Sequence, residues 1–401
     1  MNYNELFSKV VSRSKASAIR ELLKVTAMPE IISFAGGLPA PELFPKDEIA
    51  EILQDLMKHS AREGLQYGTT EGQKTFKAEL IKMLKEDNNI LVEPENILIV
   101  SAAQQGLDMT ARMFVDPGDA VIAPRPTYLG ALQAFQVAGA DLIGADSDED
   151  GVIPADIEKK LQALKAQGRR CKFIYVVPDF QNPTGTTISE ERRKQILELA
   201  KKYNTFVLED SPYRQVRFEG KAPRMIYDLD EGNGNVITLF TFSKVFVPGF
   251  RLGFVIAPKE VIAKYVILKQ AMDLCTSPFL QLATAYYLQR GLLKKHIEEM
   301  VDCYRQKRDL MLDSLKKYMP EGVTWTRPEG GLFLWLTLPK HMNATELLSK
   351  AIENKVAFVA GVDFYPECNV YNDMRLNFSY SSHEQIVEGL KRLAQTIKEN
   401  M

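Results

Sequence analysis

Cysteine is scarce in this sequence, and the few residues that occur form no recognisable pattern. Four of the 401 residues are cysteine, without a Cys-x-x-Cys pair and without a histidine at metal-ligand spacing. We therefore expect neither a disulfide framework nor a metal site. Scattered thiols of this kind are typical of a reducing compartment. The cysteines are Cys171, Cys275, Cys303 and Cys368.

The sequence also lacks a segment that would direct it into a membrane. No apolar run approaches the about 20 residues that a transmembrane helix needs, and Met1–Val10 has no hydrophobic signal-peptide core. Neither sign of charge is in excess, because 50 basic and 52 acidic residues give a formal net charge of −2. This balance argues against a nucleic acid or an anionic membrane as partner. We therefore expect a cytoplasmic protein.

The middle of the chain alternates between short apolar runs and segments of helical period. Unbroken apolar, β-branched runs with helical spacers are typical of a mostly parallel sheet that is covered by helices on both faces. The pattern therefore predicts an α/β fold. The runs are Ile97–Val100, Ala120–Ala123, Lys172–Val177, Thr205–Leu208, Val236–Phe242 and Leu252–Ala257.

This alternation ends near Leu293, where a different pattern begins. A long charged helical pattern is followed by strand, helix, strand and helix patterns, which predicts a smaller α+β unit that packs with the N-terminal segment. A chain of 401 residues is long enough for two such cores. We expect a large domain at residues 46–293 and a small domain built from residues 1–45 and 294–401.

Polar side chains follow the apolar runs, at the points where the predicted strands end. In open α/β sheets, ligands bind just beyond the carboxyl ends of the strands. One sheet edge thus collects a lysine, an acid, tyrosines, an asparagine, hydroxyls and an arginine, which is difficult to explain by packing alone. The side chains at these positions include Tyr128, Asn182, Asp210, Tyr213, Thr241, Ser243, Lys244 and Arg251.

Each of these residues, taken alone, has an ordinary structural explanation. A lysine after a strand is usually solvated on the surface. Asp210 could cap the next helix, as Asp often does. Asn182-Pro183 could be only a turn, since both residues favour turns. The functional interpretation rests on their convergence at one edge.

A nucleotide-dependent dehydrogenase is excluded, because Ser101–Gly106 is not the Gly-x-Gly-x-x-Gly turn that it would need.

Several strings together resemble the signature blocks of the class I/II aminotransferases of pyridoxal-phosphate (PLP) fold type I. The resemblance runs from near residue 14 to near residue 380, and it is greatest to the branch with 2-aminoadipate and kynurenine aminotransferases. It implies a large domain with a mostly parallel seven-stranded sheet and a smaller α+β domain. The strings are Gly36-Gly37-Leu38-Pro39, Tyr67-Gly68, Asn182-Pro183-Thr184-Gly185, Glu209-Asp210-x-x-Tyr213, Ser243-Lys244-x-x-x-x-Gly249-x-Arg251 and Met374-Arg375-Leu376.

The resemblance assigns roles around the cofactor ring. Lys244 would hold the PLP aldehyde as an imine, the internal aldimine, and would later carry a proton between the substrate α-carbon and the cofactor. Asp210 would pair with the ring nitrogen and keep it protonated, because an opposite charge favours the charged form. Tyr213 and Asn182 would hydrogen-bond the phenolate oxygen of the cofactor. Tyr128 would stack on its ring face.

A second group of residues would hold the cofactor phosphate. Backbone N–H groups of Ala103 and Gln104 at the start of a helix suit a dianion. Thr241 and Ser243 can add hydroxyl donors, and Arg251 can offer a planar fork of donors. The family usually has a small polar residue where Ala103 stands, so here that contact would be made by backbone only.

The resemblance also implies substrate contacts and a homodimer. Arg375 matches the arginine that binds the substrate α-carboxylate, with Asn182 beside it; the alternative is a strand-edge arginine paired with an acid. Gly37 lies in a loop that would line the substrate pocket. Tyr67 would reach the active site of the neighbouring subunit; the alternative is that it belongs to a simple turn in the chain's own core. The Asn182–Pro183 peptide is expected to be cis, aiming the Asn182 amide at the ring.

A further substrate contact is expected in the N-terminal segment. Ser17 and Arg20 are three residues apart and would share one face of a helix. In aminoadipate-type relatives, an arginine in the matching string can pair with the distal carboxylate of a dicarboxylic substrate. The alternative is a surface ion pair with Glu21, which would contribute little. The string here is Ala16-Ser17-Ala18-Ile19-Arg20-Glu21-Leu22-Leu23.

The expected function is therefore amino-group transfer between an L-α-amino acid and a 2-oxo acid, with 2-oxoglutarate as the expected acceptor. One alternative is another PLP reaction on the same fold, as in a β-lyase, racemase or decarboxylase. Another is the effector domain of a PLP-binding transcription regulator. The aminotransferase pattern begins within the first two dozen residues and no basic helix-turn-helix pattern precedes it, which disfavours the regulator.

Overall fold

The computed structural model describes residues 1–13, 28 and 30–401. Ser17 and Arg20, with the rest of the string from Ala16 to Leu23, lie outside the described residues. The helices are α1 Lys9–Arg13, α2 Lys46–His59, α3 Ala61–Leu65, α4 Lys74–Asn88, α5 Ala102–Phe114, α6 Leu129–Ala138, α7 Pro154–Ala166, α8 Glu190–Lys202, α9 Ile226–Leu229, α10 Lys259–Met272, α11 Pro278–Gln289, α12 Leu292–Tyr318, α13 Ala344–Glu353 and α14 His383–Lys398.

Short extended segments alternate with these helices along the chain. The strands are β1 Ile32–Ser33, β2 Ile97–Val100, β3 Ala120–Arg125, β4 Asp141–Asp148, β5 Gly151–Val152, β6 Cys171–Val176, β7 Phe206–Ser211, β8 Val236–Thr241, β9 Gly253–Ile256, β10 Thr324–Trp325, β11 Phe333–Thr337, β12 Val356–Ala357, β13 Val359–Ala360 and β14 Asp373–Asn377.

Local sequence explains where several helices begin. The Ser189 side chain accepts from the backbone N–H of Arg192 and caps α8. At α14, Ser382 and Gln385 form a reciprocal capping box. At α11, Pro278 occupies the first helical position, where its missing N–H costs nothing, and Ser277 is the cap. Local side chains therefore determine where these three helices begin.

The large sheet confirms the α/β prediction. Its strand order is β2-β9-β8-β7-β6-β3-β4-β5, and the pairs from β8 through β4 are parallel, whereas β9 runs antiparallel to both β2 and β8. Seven strands of four to eight residues carry the sheet, and the two-residue β5 adds a short hairpin at one edge. The sequence pattern missed β4, because this edge strand begins and ends with exposed aspartates.

Helices cover both faces of this sheet. Successive strand residues point to opposite faces, so in β7 the side chain of Val207 joins one apolar core and that of Leu208 joins the other. Helix α5 packs against β8 and β9, while α8 packs against β7. Burial on both faces is why the strand sequences are continuous apolar runs rather than alternating patterns.

The chain after α11 forms a second, smaller group of elements. Strands β10, β11, β14 and β13 make a four-stranded antiparallel sheet, and the long helix α12 packs against α14. The N-terminal segment joins this group, because β1 pairs in parallel with β12. The expected domain boundaries near residues 45 and 293 stay a prediction.

Other sequence expectations can be compared directly with the structure. The Asn182–Pro183 peptide is cis, as predicted, and Arg125–Pro126 is also cis, which the sequence did not suggest. Over the described ranges, no helix combines the length and apolar character that are needed to cross a bilayer. The same residues contain no cluster of three or more His, Cys, Asp or Glu that could hold a metal ion.

Candidate active site

A cavity lies at the carboxyl ends of the central strands, where the sequence placed the candidate residues. Its empty space is about 530 Å³. Ten residues that were predicted to bind the cofactor line it, and four further lining residues were not predicted. The predicted ones are Ala103, Gln104, Tyr128, Asn182, Asp210, Tyr213, Thr241, Ser243, Lys244 and Arg251; the others are Ala102, Leu107, Val177 and Pro212.

Lys244 enters the cavity from a single helical turn directly after β8. The turn Phe242–Lys244 begins with Thr241, whose hydroxyl accepts from the backbone N–H of Ser243 at 3.2 Å. The Lys244 ammonium donates to the backbone oxygen of Gly37 at 2.7 Å, so the predicted loop residue Gly37 does lie beside the cavity lysine. Burial lowers the pKa of Lys244 to about 8, and the charges of Arg375 and Arg251 act in the same direction.

Asp210 lies at the end of β7 and is buried with only one of its two oxygens bonded within the described chain. Its Oδ2 accepts from the phenol of Tyr175 at 3.0 Å, whereas the buried Oδ1 has no hydrogen-bond partner among the described residues. Burial raises the pKa of Asp210 to about 7, and the hydrogen bond from Tyr175 opposes that shift. A buried carboxylate oxygen without a partner is costly, and a cation or donor in the cavity would satisfy it.

Asn182, Tyr213 and Arg375 form a chain of contacts on the opposite side of the site. The Asn182 amide nitrogen approaches the Tyr213 hydroxyl at 3.5 Å, and its Oδ1 accepts from Arg375 at 2.9 Å. Arg375 also donates to the backbone oxygen of Ala35 at 2.6 Å, and its buried Nε finds no acceptor in the part of the chain that the structure describes. Its guanidinium carbon lies 4.2 Å from the ring centre of Phe333.

The surroundings of Arg375 differ from those of a strand-edge arginine paired with an acid. Arg375 is buried, and burial lowers its pKa to about 10. In the described part of the chain, its hydrogen-bond partners are neutral oxygens rather than a carboxylate. A buried guanidinium that is held only by neutral groups favours an anionic ligand.

Donors for an anion gather at another end of the cavity. Arg251 donates to the Ser243 hydroxyl at 3.2 Å, and the Thr241 hydroxyl lies 3.0 Å from that of Ser243. The backbone N–H groups of Ala103 and Gln104 lie in the first turn of the thirteen-residue helix α5. Helix N-termini attract anions because their first N–H groups have no partner within the helix.

Tyr128 is held over the cavity by contacts with α5 and α6. Its hydroxyl donates to the Gln104 side-chain oxygen at 3.2 Å, and the Gln104 amide donates to the backbone oxygen of Gly130 at 2.9 Å. A Cβ atom at Gly130 would lie 2.5 Å from the end of the Tyr128 ring. Glycine at position 130 therefore allows the ring to lie where it does.

A buried ion cluster joins the two loops that bear Asn182 and Tyr213. Asp179 is almost fully buried and forms ion pairs with Arg193 at 2.9 Å, Arg214 at 3.3 Å and Arg217 at 3.2 Å. Burial opposes ionisation, but the three guanidinium groups lower the pKa of Asp179 below its usual value. The cluster ties residues 179–182 to residues 213–217, because Asp179 lies in the first segment and Arg214 and Arg217 lie in the second, while Arg193 pairs with Asp179 from α8.

Four predicted residues are not among those that line this cavity. Arg375 and Gly37 contact the lining residues Asn182 and Lys244. Tyr67 is 79% exposed and lies on the surface rather than among the lining residues. Arg20 lies outside the described residues. Sequence reasoning missed Tyr175, which contacts Asp210 from near the carboxyl end of β6. An aromatic residue inside an apolar strand is normally assigned to the hydrophobic core. Only its polar partner on the neighbouring strand indicates a functional role.

The comparisons with known proteins agree on one family. The model described as "Aminotransferase class I and II" matches residues 40–393. The chain is 43% identical over 401 residues to an aromatic-amino-acid aminotransferase of Thermococcus litoralis, covering 100% of this chain and 96% of the relative. It shares 45% identity and a TM-score of 0.96 with the kynurenine aminotransferase of Pyrococcus horikoshii in complex with PMP, covering 100% and 98% of the two chains.

A third comparison is with the α-aminoadipate aminotransferase of Thermus thermophilus, solved with N-(5'-phosphopyridoxyl)-L-leucine. The identity is 36% and the TM-score 0.92, covering 100% of this chain and 99% of that one. The chain therefore belongs to the class I and II aminotransferases. It is a PLP-dependent enzyme of fold type I that acts on amino acids and 2-oxo acids.

The residues in the cavity fit this cofactor. The Oδ1 of Asp210, which no described residue contacts by a hydrogen bond, suits a protonated ring nitrogen, and the donors around Ser243 and Arg251 suit a phosphate. The amine of Lys244 lies in the same cavity. These three features correspond to the three parts of PLP that a protein must hold: ring nitrogen, phosphate and aldehyde.

The lowered pKa of Lys244 leads to a prediction about cofactor uptake. Only the neutral amine reacts with an aldehyde, and with a pKa of about 8 rather than 10.5 half of the amine is neutral near pH 8. The rate at which the apoprotein attaches PLP covalently should therefore rise between pH 6 and 8 and level off above pH 9. Stopped-flow absorbance measures this rate, with Lys244→Ala as the control that lacks the amine. A rate that kept rising in proportion to hydroxide up to pH 10 would contradict the lowered pKa.

Proposed function

We propose that this cavity carries out amino-group transfer with Lys244 as both the covalent anchor of the cofactor and the proton carrier. When bound, PLP supplies an aldehyde that captures the amino group and a ring that takes up electrons from the α-carbon. The single observation that supports the proposal best is a buried lysine of lowered pKa that shares a cavity with a buried, half-satisfied aspartate. Perturbed titratable groups that converge in a cavity are typical of catalytic sites.

Each step follows from what the neighbouring side chains can do. The neutral Lys244 Nζ accepts the proton from the substrate α-carbon and returns it to the cofactor side. With the cofactor bound, the ionised Asp210 would hold a proton on the ring nitrogen through its Oδ1. Tyr213 and Asn182 would bind the phenolate oxygen, and Tyr128 would stack on the ring. Because these groups are positioned by the fold, little reorganisation is needed during the reaction.

Arg375 is the proposed carboxylate-binding residue. Its bonds to Asn182 and to the Ala35 backbone oxygen hold the guanidinium in the apolar frame of Phe333 and Phe364, at 4.2 and 5.2 Å. A substrate carboxylate can take the place of one of these neutral acceptors and bind in bidentate geometry. Bidentate binding sets the orientation of the α-carbon as well as the affinity.

We further propose 2-oxoglutarate as the amino acceptor and the cytoplasm as the location. The names of the relatives include aromatic, kynurenine and aminoadipate aminotransferases, which favours a broad range of amino donors. The cysteines Cys171, Cys275 and Cys303 form no disulfide within the described part of the chain, and this supports a reducing compartment.

An amino-transfer assay tests the function. With 2-aminoadipate or an aromatic amino acid as donor and 2-oxoglutarate as acceptor, glutamate and the new 2-oxo acid should form in equal amounts. Lys244→Ala should lower kcat/KM at least about 100-fold, because a positioned acid–base group contributes roughly 10²–10⁴-fold. The matched control is Lys172→Ala, whose ammonium pairs with Asp119 at 3.0 Å and is partly exposed. Its rate should not change.

Two other products would point to different reactions on the same fold. Ammonia released without glutamate would indicate a lyase, and carbon dioxide would indicate a decarboxylase. Either result in place of glutamate would contradict the amino-transfer proposal.

A homodimer with shared active sites is also proposed. Leu65, the last residue of α3, and Tyr67, in the loop that follows, are 68% and 79% exposed, and exposed apolar groups of this kind often mark interfaces. The loop is tied down at Gly68, where an added Cβ would lie 2.9 Å from Pro278, at the start of α11. In the proposed dimer, the exposed Tyr67 would reach the cavity of the partner subunit.

Light scattering should give twice the chain mass of 45.3 kDa. Tyr67→Ala should raise the dissociation constant for PLP about tenfold, because the proposed hydrogen bond from Tyr67 to the charged cofactor phosphate is lost. Tyr3→Ala, at another exposed tyrosine, should leave PLP binding unchanged and serves as the control. A fully active monomer would refute the shared site.

The last proposal concerns Arg20 and dicarboxylic substrates. If Arg20 pairs with the distal carboxylate, Arg20→Ala should lower kcat/KM for glutamate and 2-aminoadipate by about tenfold or more, because a charged partner is lost. The value for leucine, which has no distal carboxylate, should stay the same. Arg112→Ala removes an exposed arginine that pairs with Asp108 and is the control. An equal change for leucine, or no change for any substrate, would contradict this pairing and favour the alternative, a surface ion pair with Glu21.

A further inference from the structure

Tyr175 is a buried residue that contacts the active site from behind. It lies on β6 and is fully buried, and its phenol donates to Asp210 Oδ2 at 3.0 Å. In the parallel pair of β6 and β7, Tyr175 is in register with Leu208, two residues before Asp210. It is not among the described residues that line the cavity, so it reaches the site only through Asp210.

The Tyr175 ring is held firmly where it is. Phe135 packs against it in a T-shaped arrangement, with the ring centres 5.3 Å apart and an interplanar angle of 78°. Phe135 is itself packed edge-on against Phe173 at 5.1 Å. Aromatic contacts of this geometry restrict ring rotation, so the hydroxyl has a defined position.

The hydrogen bond leaves the two oxygens of Asp210 unequal. Oδ2 is occupied by the phenol, while Oδ1 is buried and bonded to none of the residues that the structure describes, although Asp210 lines the cavity. The charge of Asp210 contributes to raising the pKa of three nearby phenols, those of Tyr128, Tyr175 and Tyr213. Among the described residues, only that of Tyr175 bonds to its carboxylate.

We propose that Tyr175 is a positioning residue: its phenol fixes the Asp210 carboxylate so that Oδ1 faces the cofactor ring nitrogen, and it supports the ionised form of Asp210. This inference rests on the proposed pairing of Asp210 with that nitrogen. A phenol donor stabilises a carboxylate more than the neutral acid, because the neutral acid is the weaker acceptor. Without this donor, the carboxylate would lose the hydrogen bond that both orients it and offsets its burial.

Packing alone would not require this hydroxyl. Phenylalanine would fill the same space beside Phe135, and a buried hydroxyl needs a partner to offset its desolvation. The competing explanation is that Tyr175 stabilises the core and merely satisfies its hydroxyl on the nearest acceptor. The two explanations differ in what happens when Asp210 is changed.

A double-mutant cycle on cofactor binding separates them. The variants are Tyr175→Phe, Asp210→Asn and the double variant, and the dissociation constant for PLP is measured on each apoprotein by cofactor absorbance. Tyr175→Phe should raise this constant about tenfold, as expected for loss of a hydrogen bond to a charged group. In the Asp210→Asn background, the same substitution should change it less than about twofold, because the coupling partner is gone.

Tyr265→Phe is the matched control. Tyr265 is fully buried, and its hydroxyl bonds to that of Thr110 at 2.5 Å, away from the cavity. Tyr265→Phe should destabilise the fold to a similar extent without changing PLP binding.

Two further readouts apply to the holoenzyme. Tyr175→Phe should shift the visible absorption band of the bound cofactor, and it should lower kcat while leaving KM for the amino acid unchanged.

The possible outcomes are distinct. If Asp210→Asn binds PLP as tightly as wild type, the proposed role of Asp210 fails, and the inference on Tyr175 fails with it. If Asp210→Asn binds weakly but Tyr175→Phe binds normally, only the inference on Tyr175 is overturned. An equal loss in both backgrounds also overturns it, because Tyr175 would then act independently of Asp210. Should Tyr175→Phe not fold, a fluorotyrosine at position 175, which is a stronger donor, must retain tight PLP binding for the inference to hold.

Discussion

The burial of a single carboxylate, that of Asp210, is the constraint on which the site depends. An ionised group in this position is unfavourable without partners, and the described part of the chain provides one hydrogen bond, from the phenol of Tyr175. The second oxygen is left for a ligand. The buried carboxylate thus gives the cavity a preference for a cation. In the proposed site, a protonated pyridine nitrogen would satisfy that preference.

The remaining groups are arranged around this centre by the geometry of a parallel sheet. Strands β7 and β8 end side by side, so Asp210 and the turn that bears Lys244 are neighbours although they are 34 residues apart in number. The loops with Asn182 and Tyr213 are joined by the buried ion pairs of Asp179. Removing a partner from such a cluster is far more costly than removing a surface pair. We expect this rigidity to keep the orientation of the ring-binding groups.

Much of this could be predicted from sequence because the physical signals are local. Continuous apolar runs indicated a covered parallel sheet, and the polar residues that follow them indicated the edge where a ligand binds. The edge strand β4 was missed because its exposed aspartates hide its strand character. Tyr175 was missed because an aromatic residue in a buried strand looks like core. Its functional contact is the hydrogen bond to Asp210, which joins two neighbouring strands. The spacing of residues within the sequence does not reveal such a contact.

The arrangement of Arg375 could be predicted only in part. The resemblance to the aminotransferases implied that it binds a carboxylate, but its burial between aromatic rings and its bonds to neutral oxygens depend on β11 and β14 pairing in one register. The exposure of Tyr67 is likewise a three-dimensional property. In both cases the resemblance to the family indicated a function, and the packing around the residue determines what it can contact.

The most direct test of the central claim, that Lys244 anchors the cofactor beside Asp210, is chemical. The purified holoprotein is reduced with borohydride, digested, and the peptide that carries the phosphopyridoxyl group is identified by mass spectrometry. The account predicts one modified peptide with the adduct on Lys244, and none in Lys244→Ala. An adduct on another lysine of the wild-type protein, with Lys244 unmodified, would contradict it.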